Sequence, residues 1–232
     1  DLCRRQRQMC IRDSYMTIDW GIIFKSIPLL GHGVVVTLQV SALASVLGLA
    51  LGVVLGLCSL SHSRPLRWIV AGYVDFIRGT PLLIQIFLVF FALPALGIRF
   101  DEFWAGVVAL SLNSAAFVAE VVRGGVGSIE RGQSEAATAI GMRHRQILVY
   151  ILLPQAYRQM VPPLTNELIS LVKNSSLLSV ISVYELTRAG QAIISVHFVP
   201  FEIYTLLALY YYVLIKVLSW LSGRLERRLP TW

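Results

Sequence analysis

The chain has 232 residues, of which 56% are hydrophobic and only 14% are charged. Soluble domains carry about a quarter charged residues, so this composition excludes an ordinary soluble domain and indicates an integral membrane protein. The formal net charge of +7 comes from arginines that lie between apolar runs; this pattern is typical of membrane orientation and excludes nucleic acid as the expected partner.

The first fifteen residues differ from everything that follows. They read DLCRRQRQMCIRDSY, a polar and basic segment without the apolar centre of a signal peptide. Met16, followed by Thr-Ile-Asp-Trp, has the appearance of a natural start. We therefore expect residues 1–15 to be a non-native or disordered extension, and residues 16–232 to form a single transmembrane domain.

Five apolar runs predict five transmembrane helices. The first is expected to be entered through a turn at Gly31–Gly33, the second is interrupted around Thr80 and Pro81, and residues 187–202 are expected to form a loop. The predicted spans cover approximately residues 34–57, 69–94, 104–122, 164–186 and 203–221.

A stripe of small residues marks one side of the first predicted span. Ala44, Gly48, Gly52 and Gly56 recur every four positions, which brings them to one face of a helix and allows a second helix to approach closely. The partner is either another helix of the same chain, the commoner case, or a second subunit.

Charge counting predicts the orientation of the chain in the membrane. Two arginines follow the first span, five arginines against two acids lie in residues 123–158, and three arginines against one acid lie in the tail. Because basic loops stay in the cytoplasm, the N-terminus is predicted outside and the C-terminus inside. The long polar stretch at residues 123–163 is then cytoplasmic.

This long stretch predicts two short helices. Residues 134–140 are strong helix formers with Glu135 near the start, and Gly141 is a natural terminator because glycine takes the left-handed conformation readily. A second helix is predicted at residues 143–153 and should stop near Pro154.

The spacing within the stretch resembles a known signature. Glu135-Ala136-Ala137, Gly141, Ile151 and Leu153-Pro154 match the EAA motif of bacterial ABC importer permeases at every fixed position. Residues 78–83 and 166–177 are similar to the branch that carries histidine, glutamine, glutamate and arginine. The resemblance covers about residues 16–230 and implies the type I permease fold in the bacterial inner membrane.

The resemblance also implies partners. A cytoplasmic ABC ATPase dimer would receive the first short helix in a groove. Ala136 and Ala137 would allow close approach, and Gly141 would set the angle to the second helix. Glu135 would cap a helix or pair with a basic residue of the ATPase. A second permease subunit, identical or homologous, would complete the path, and an extracytoplasmic amino-acid-binding protein would deliver the cargo. ATP hydrolysis would belong to the partner, so this chain is not expected to be an enzyme or to need a cofactor or metal.

Polar residues inside the fourth predicted span are candidates for the substrate path. Glu167, Ser170 and Asn174 share one helical face, and ionisable groups in a span are costly enough to be functional candidates. Such a face can hold the ammonium group of an amino acid, while the break at Thr80 frees backbone donors for its carboxylate. The alternative is structural, with Glu167 and Lys173 paired or snorkelling near helix ends.

Two other classes compete with the importer. An ion-coupled secondary transporter would normally show an inverted repeat, and none is evident. A membrane-embedded enzyme would need Glu167 and a histidine as its chemical groups, but the four histidines have no ligand spacing. Dependence on a separate ATPase distinguishes these classes from the importer.

Overall fold

A computed structural model of the chain describes residues 20–61 and 63–226, and every regular element in them is helical. The expected extension at residues 1–15 and the start at Met16 lie outside the described residues. The α-helices are α1 (Trp20–Ser59), α2 (Arg64–Gly79), α3 (Leu82–Phe87), α4 (Glu102–Gly127), α5 (Arg131–Ala139), α6 (His144–Gln146), α7 (Leu153–Asn174), α8 (Leu186–His197) and α9 (Pro200–Glu226). Tighter or wider helical turns follow some of them: a π-helical turn at Leu88–Ala92, a 3-10 turn at Leu93–Leu96, a π-helical turn at Ile147–Leu152 and a 3-10 turn at Ser175–Ile181.

Three of the described helices are long and apolar enough to cross a membrane, namely α1, α4 and residues Pro200–Arg224 of α9. A fourth span is possible if α2 and the segment Leu82–Leu96, which are bent by 109° at the break between them, count as one. The helix α7 is not among these candidates, since its 22 residues include Arg158, Glu167 and Lys173. The predicted number of five spans and the predicted orientation therefore stay predictions.

The small-residue stripe of α1 packs against α4 inside the chain. A Cβ atom at Gly48 would lie 2.8 Å from Ser114 Cβ, one at Gly52 would lie 2.5 Å from Val118 Cβ, and one at Gly56 would lie 2.6 Å from Val122 Cβ. The contacts recur every four residues on both helices, so successive glycines of α1 contact successive turns of α4. This contact is the internal packing that the sequence favoured over a subunit interface.

The expected entry turn at Gly31–Gly33 is wrong, because α1 runs without interruption from Trp20. Gly33 is required for packing instead: a Cβ there would lie 2.8 Å from the Cα of Leu186. Thr37 ties the same helices together, since its hydroxyl accepts a hydrogen bond of 3.2 Å from the Leu186 amide.

The expected stop at Pro154 is also wrong. Helical structure continues from the π-helical turn Ile147–Leu152 directly into α7, and Pro154 is the second residue of α7. A π-helical turn shifts the hydrogen-bonding register by one residue. Pro154 therefore stands at the beginning of a new register, where proline is tolerated, and not in a helix interior.

The expected fourth span at residues 164–186 and loop at residues 187–202 are displaced. Helix α7 begins earlier, at Leu153, and the 3-10 turn ends at Ile181. Ser182 then takes a left-handed conformation with φ of 68°, and Glu185 caps α8. The chain therefore turns and forms a helix at Leu186–His197, where a loop was expected.

Candidate functional site

The segment from α5 to Arg143, called here the α5 segment, ends in a Schellman motif. The Met142 amide donates to the Ala137 carbonyl at 3.1 Å, and the Gly141 amide donates to the Thr138 carbonyl at 2.9 Å. Gly141 has φ of 81°, a conformation that other residues adopt only with strain. The terminator predicted at this position is observed, and it sets the direction in which the chain leaves α5.

The α5 segment presents one face outward and one inward. Glu135 and Ala136 are exposed, whereas Ala137 is only 5% exposed and lies on the side where α5 packs against the π-helical turn Ile147–Leu152. Ile140 is 79% exposed at the tip. Ile140 was missed from the sequence, although an apolar residue directly before a terminating glycine in a polar loop is a usable signal.

Two cavities meet beside the break between α2 and α3. The larger has a volume of about 950 Å³ and lies between α2 and α4. The second, called here the Glu167 cavity, has a volume of about 530 Å³ and lies between α2, α4 and α7. Arg78, Phe117 and Glu120 line both cavities, so these side chains form the boundary between them.

The boundary carries an ion-pair network, called here the Arg78 cluster and made of Arg78, Glu120 and Arg123. Arg123 reaches Glu120 with two nitrogens, Nε to Oε1 at 2.8 Å and Nη2 to Oε2 at 2.9 Å. Arg78 reaches Oε2 with Nη1 at 3.0 Å and lies 5.6 Å from the centre of the Phe117 ring. The local pair of Glu120 with Arg123 agrees with their spacing of three residues in the sequence, whereas the contribution of Arg78 from another helix was missed.

The four predicted path residues do not all come together. Glu167 and Ser170 both line the Glu167 cavity, together with Asn166, Gln159 and Pro163 of the same helix. Asn174 and Thr80 are not among the residues that line either of these two cavities.

Thr80 instead belongs to a network that stabilises the break after α2. The Gln85 side-chain nitrogen donates to the Ile77 carbonyl at 2.7 Å, the Thr80 carbonyl at 3.1 Å and the Thr80 hydroxyl at 3.0 Å. Asn113 of α4 donates to the Gln85 oxygen at 2.9 Å. Carbonyl groups left open by the break are therefore satisfied within the chain, and the bend is fastened to α4.

A second buried polar group, Glu185, was also missed. Its side chain is fully buried and accepts hydrogen bonds from the amides of Thr187 and Arg188 at 2.9 and 2.8 Å and from the hydroxyl of Tyr211 at 2.9 Å. Glu185 thus caps α8 and ties it to α9. Because its hydroxyl partner lies 26 residues away, no local sequence pattern identifies this group.

Apolar helices around charged, partly buried clefts are typical of membrane transport proteins. The chain belongs to the family described as binding-protein-dependent transport system inner membrane component, whose sequence profile matches residues 48–230.

Individual amino acid permeases are similar to this chain over most of its length. The arginine transport system permease protein ArtQ of Bacillus subtilis (strain 168) is 40% identical over 217 residues, which are 93% of this chain and 99% of the relative. The glutamine transport system permease protein GlnP of Escherichia coli (strain K12) is 40% identical over 216 residues, 92% of this chain and 99% of the relative. The L-cystine transport system permease protein TcyB of Bacillus subtilis (strain 168) is 39% identical and covers 93% of each chain.

A solved structure described as an amino acid ABC transporter with histidines is 38% identical, with a TM-score of 0.87 over 92% of this chain and 100% of that chain. The inward-facing MetNI methionine ABC transporter, at 23% identity and a TM-score of 0.75 over 88% of this chain and 97% of that chain, shares the fold. The predicted family and the all-α permease fold are confirmed, and the relatives are transport components, as expected for a chain that is not an enzyme.

Proposed function

We propose that this chain is the membrane-spanning permease subunit of an ATP-driven importer for polar amino acids in the bacterial inner membrane. The named relatives serve arginine, glutamine and cystine transport, which supports a polar amino acid as cargo. In this proposal residues 16–232 are one permease domain, and the chain works as a dimer with a copy of itself or a homologue. An external binding protein delivers the amino acid.

Five spans account for the helices in this proposal: α1, the bent pair of α2 with Leu82–Leu96, α4, α7 and α9. A helix of 22 residues such as α7 is about 33 Å long, enough for the roughly 30 Å hydrocarbon core. Its ionisable residues lower its apolarity, but one of them, Glu167, lines a cavity between helices. With five spans the N-terminus is outside, and the α5 segment, called the coupling element in this proposal, lies in the cytoplasm, as the arginine distribution predicts.

The observation that carries the proposal is the coupling element. Its outer face offers Glu135, Ala136 and the exposed Ile140, while Ala137 packs against its own chain. A compact helix with a small residue and an apolar tip fits a groove on a partner. We assign that partner as a cytoplasmic ABC ATPase dimer, whose nucleotide-driven closure moves two coupling elements together. Gly141 fixes the angle between α5 and the helical segment that continues into α7, so this movement is transmitted to α7. The equilibrium between the two orientations of the path then depends on the nucleotide state of the ATPase.

The substrate path in this proposal runs beside α7. Glu167 and Ser170 line its cavity directly, Asn174 lies about two turns beyond Glu167, and Thr80 stands at the break where the path changes direction. An ion-coupled transporter working alone would use the same polar residues but would transport without an ATPase.

Replacement of Gly141 by Val tests the coupling role. A β-branched residue at φ of 81° is strongly strained, so the angle of the coupling element should change. The matched control is Gly127→Val, at a helical glycine where an added Cβ would meet nothing within 4 Å. Each permease is co-expressed with the companion ATPase, purified and reconstituted, and ATP-dependent uptake of labelled L-arginine and L-glutamine is measured with the companion binding protein outside.

The Gly141→Val protein should reach the membrane in normal amount but lose uptake and co-purification of the ATPase, while the Gly127→Val protein keeps both. Normal uptake by Gly141→Val would refute the coupling assignment. Uptake by the unmodified chain that persists without ATP or the ATPase would refute the importer and favour an ion-coupled transporter.

A further inference from the structure

Two consecutive prolines stand near the middle of α7. Pro162 and Pro163, called here the proline pair, both lie inside the helix. Each proline lacks the N–H group that would bond to the carbonyl four residues earlier, and its ring crowds that carbonyl. Helix bends concentrate at such positions. The helix α7 therefore consists of two parts that can tilt relative to each other at the proline pair.

The part of α7 before the proline pair is packed on the end of α4. A Cβ atom added at Gly125 would clash with Met160 Cγ, and the hydroxyl of Ser128, directly after α4, donates to Gln159 Oε1. This part of α7 continues without a break from the π-helical turn Ile147–Leu152, against which α5 packs. A displacement of α5 therefore reaches the proline pair through continuous helical structure.

The part of α7 after the proline pair is held by the end of α9. The Thr165 hydroxyl oxygen lies 2.7 Å from Glu226 Oε1 and 2.8 Å from the Pro162 carbonyl oxygen. A hydroxyl group has one hydrogen to donate, so the Glu226 carboxylate competes with the backbone of α7 for the same donor. The contact of Thr165 with Glu226, called here the Thr165 latch, lies between the proline pair and Glu167.

We infer that the Thr165 latch holds α7 in one of two tilts about the proline pair, and that it opens when the path changes its orientation. The inference rests on the proposed function and assigns Thr165 and Glu226 as positioning residues that act on α7. When the latch opens, the Thr165 hydroxyl keeps the Pro162 carbonyl as its acceptor. Glu226, at the cytoplasmic end of α9 in the proposed orientation, is then hydrated. The two tilts therefore differ little in hydrogen bonding, as an equilibrium controlled by nucleotide requires.

A reversible cross-link tests whether the latch opens. In a background without native cysteines, Thr165→Cys is combined with Glu226→Cys, and a short bis-methanethiosulfonate reagent joins the two thiols in the reconstituted complex of permease and ATPase. The cross-linking rate should differ about fivefold or more between the nucleotide-free complex and the complex trapped with ATP and vanadate, as is typical for coupling between two sites. The control pair, Ser128→Cys with Gln159→Cys, should react at the same rate in both states.

Uptake is measured on the same protein. ATP-dependent uptake of labelled L-arginine and L-glutamine, with the companion binding protein outside, is compared before cross-linking, after cross-linking and after reduction of the reagent. The cross-linked latch should abolish uptake, and reduction should restore it. A contact that only stabilises the fold would not produce this reversible loss, because a covalent bond between the same two positions would replace it.

Substitutions measure the same contact without a cross-link. Thr165→Val removes the hydroxyl at nearly constant size, and Glu226→Leu removes the acceptor. Without the latch α7 tilts independently of nucleotide, so both variants should hydrolyse more ATP per transported amino acid than the unmodified complex, and the double variant should be no worse than either. Thr165→Ser keeps the hydroxyl and should have the normal ratio. The control Ser195→Ala, which removes a hydroxyl bonded within its own helix, should also have the normal ratio.

Equal cross-linking rates of the latch pair in the two states would overturn the inference, as would full uptake by the cross-linked protein or a normal ratio in Thr165→Val. An equally large change for the control pair would overturn it too, because the first part of α7 would then not move together with α4. In each of these cases ATP-dependent uptake by the unmodified complex would leave the proposed function standing, whereas its absence would refute the proposed function itself.

Discussion

Replacement of Gly52 by Ala should destabilise the permease, because the added methyl group has no space between α1 and α4. An ideal Cβ at position 52 would lie 2.5 Å from Val118 Cβ, 2.6 Å from Val118 Cγ1 and 2.8 Å from the Ala115 carbonyl oxygen. Carbon atoms in contact are normally about 3.5–4.0 Å apart. Val118 Cβ is fixed to its backbone, so side-chain rotation cannot relieve the contact, and the two helices must separate by about 1 Å.

The expected cost follows from this overlap. Extra methyl groups in a packed core typically cost about 1–3 kcal/mol, and for a chain of this length each kcal/mol lowers the midpoint by about 2–4 °C. Gly52→Ala should therefore lower the Tm by about 2–12 °C. The assay heats detergent-solubilised protein and measures the fraction that remains monodisperse by fluorescence-detected size exclusion.

Gly72→Ala is the matched control for this substitution. Gly72 lies in the exposed part of α2, and a Cβ there would meet nothing within 4 Å. Because Ala is a better helix former than Gly, the Tm of the Gly72→Ala protein should be unchanged or higher. Adding Val118→Ala to Gly52→Ala removes the Cγ1 contact but not the Cβ contact, so it should recover only part of the loss. Equal Tm values for Gly52→Ala and Gly72→Ala would show that α1 and α4 do not meet at Gly52.

Three further experiments test other parts of the structure. Tyr211→Phe removes a hydrogen-bond donor to the buried Glu185 carboxyl group and should cost about 1–3 kcal/mol of stability. The same heating assay measures this loss, and an unchanged Tm would contradict the tie between α8 and α9. Gln85→Leu leaves two carbonyl groups at the break without their donor and should lower both the Tm and ATP-dependent uptake, whereas normal uptake would show that the bend does not depend on this side chain. In a background without native cysteines, Ile140→Cys should react with an impermeant thiol reagent only from the cytoplasmic side and Phe198→Cys only from outside; labelling of both from one side would refute the proposed orientation.

The features that the sequence predicted well depend on local chemistry. The spacing of Gly48, Gly52 and Gly56 determines that they share a helical face, and only a close neighbour benefits from their lack of side chains. Gly141 is similar, because termination by a left-handed glycine involves contacts within six residues. Neither inference needed knowledge of distant parts of the chain.

The features that the sequence missed depend on distant partners. Helix α8 was expected to be a loop, and the buried Glu185 that caps it is compensated in part by Tyr211 on the distant α9. Gly33 looked like a turn residue, but the backbone at Leu186, more than 150 positions away, is what requires a glycine there. Arg78 belongs to a stretch noted only for its family similarity, while its partner Glu120 lies on α4. In each case the reason for the residue is an interaction that forms only when the helices pack.

Helix α7 has the weakest apolar signal of the five proposed spans, and this weakness has a physical cause. Polar side chains are costly in a span only where they meet lipid. Glu167 and Ser170 line a cavity between α2, α4 and α7, so these two side chains are not surrounded by lipid alone. A helix that faces lipid on all sides could not keep such residues without losing stability. The proposed function explains the polar content of α7 as the wall of a path, and under that proposal this content does not count against α7 as a membrane span.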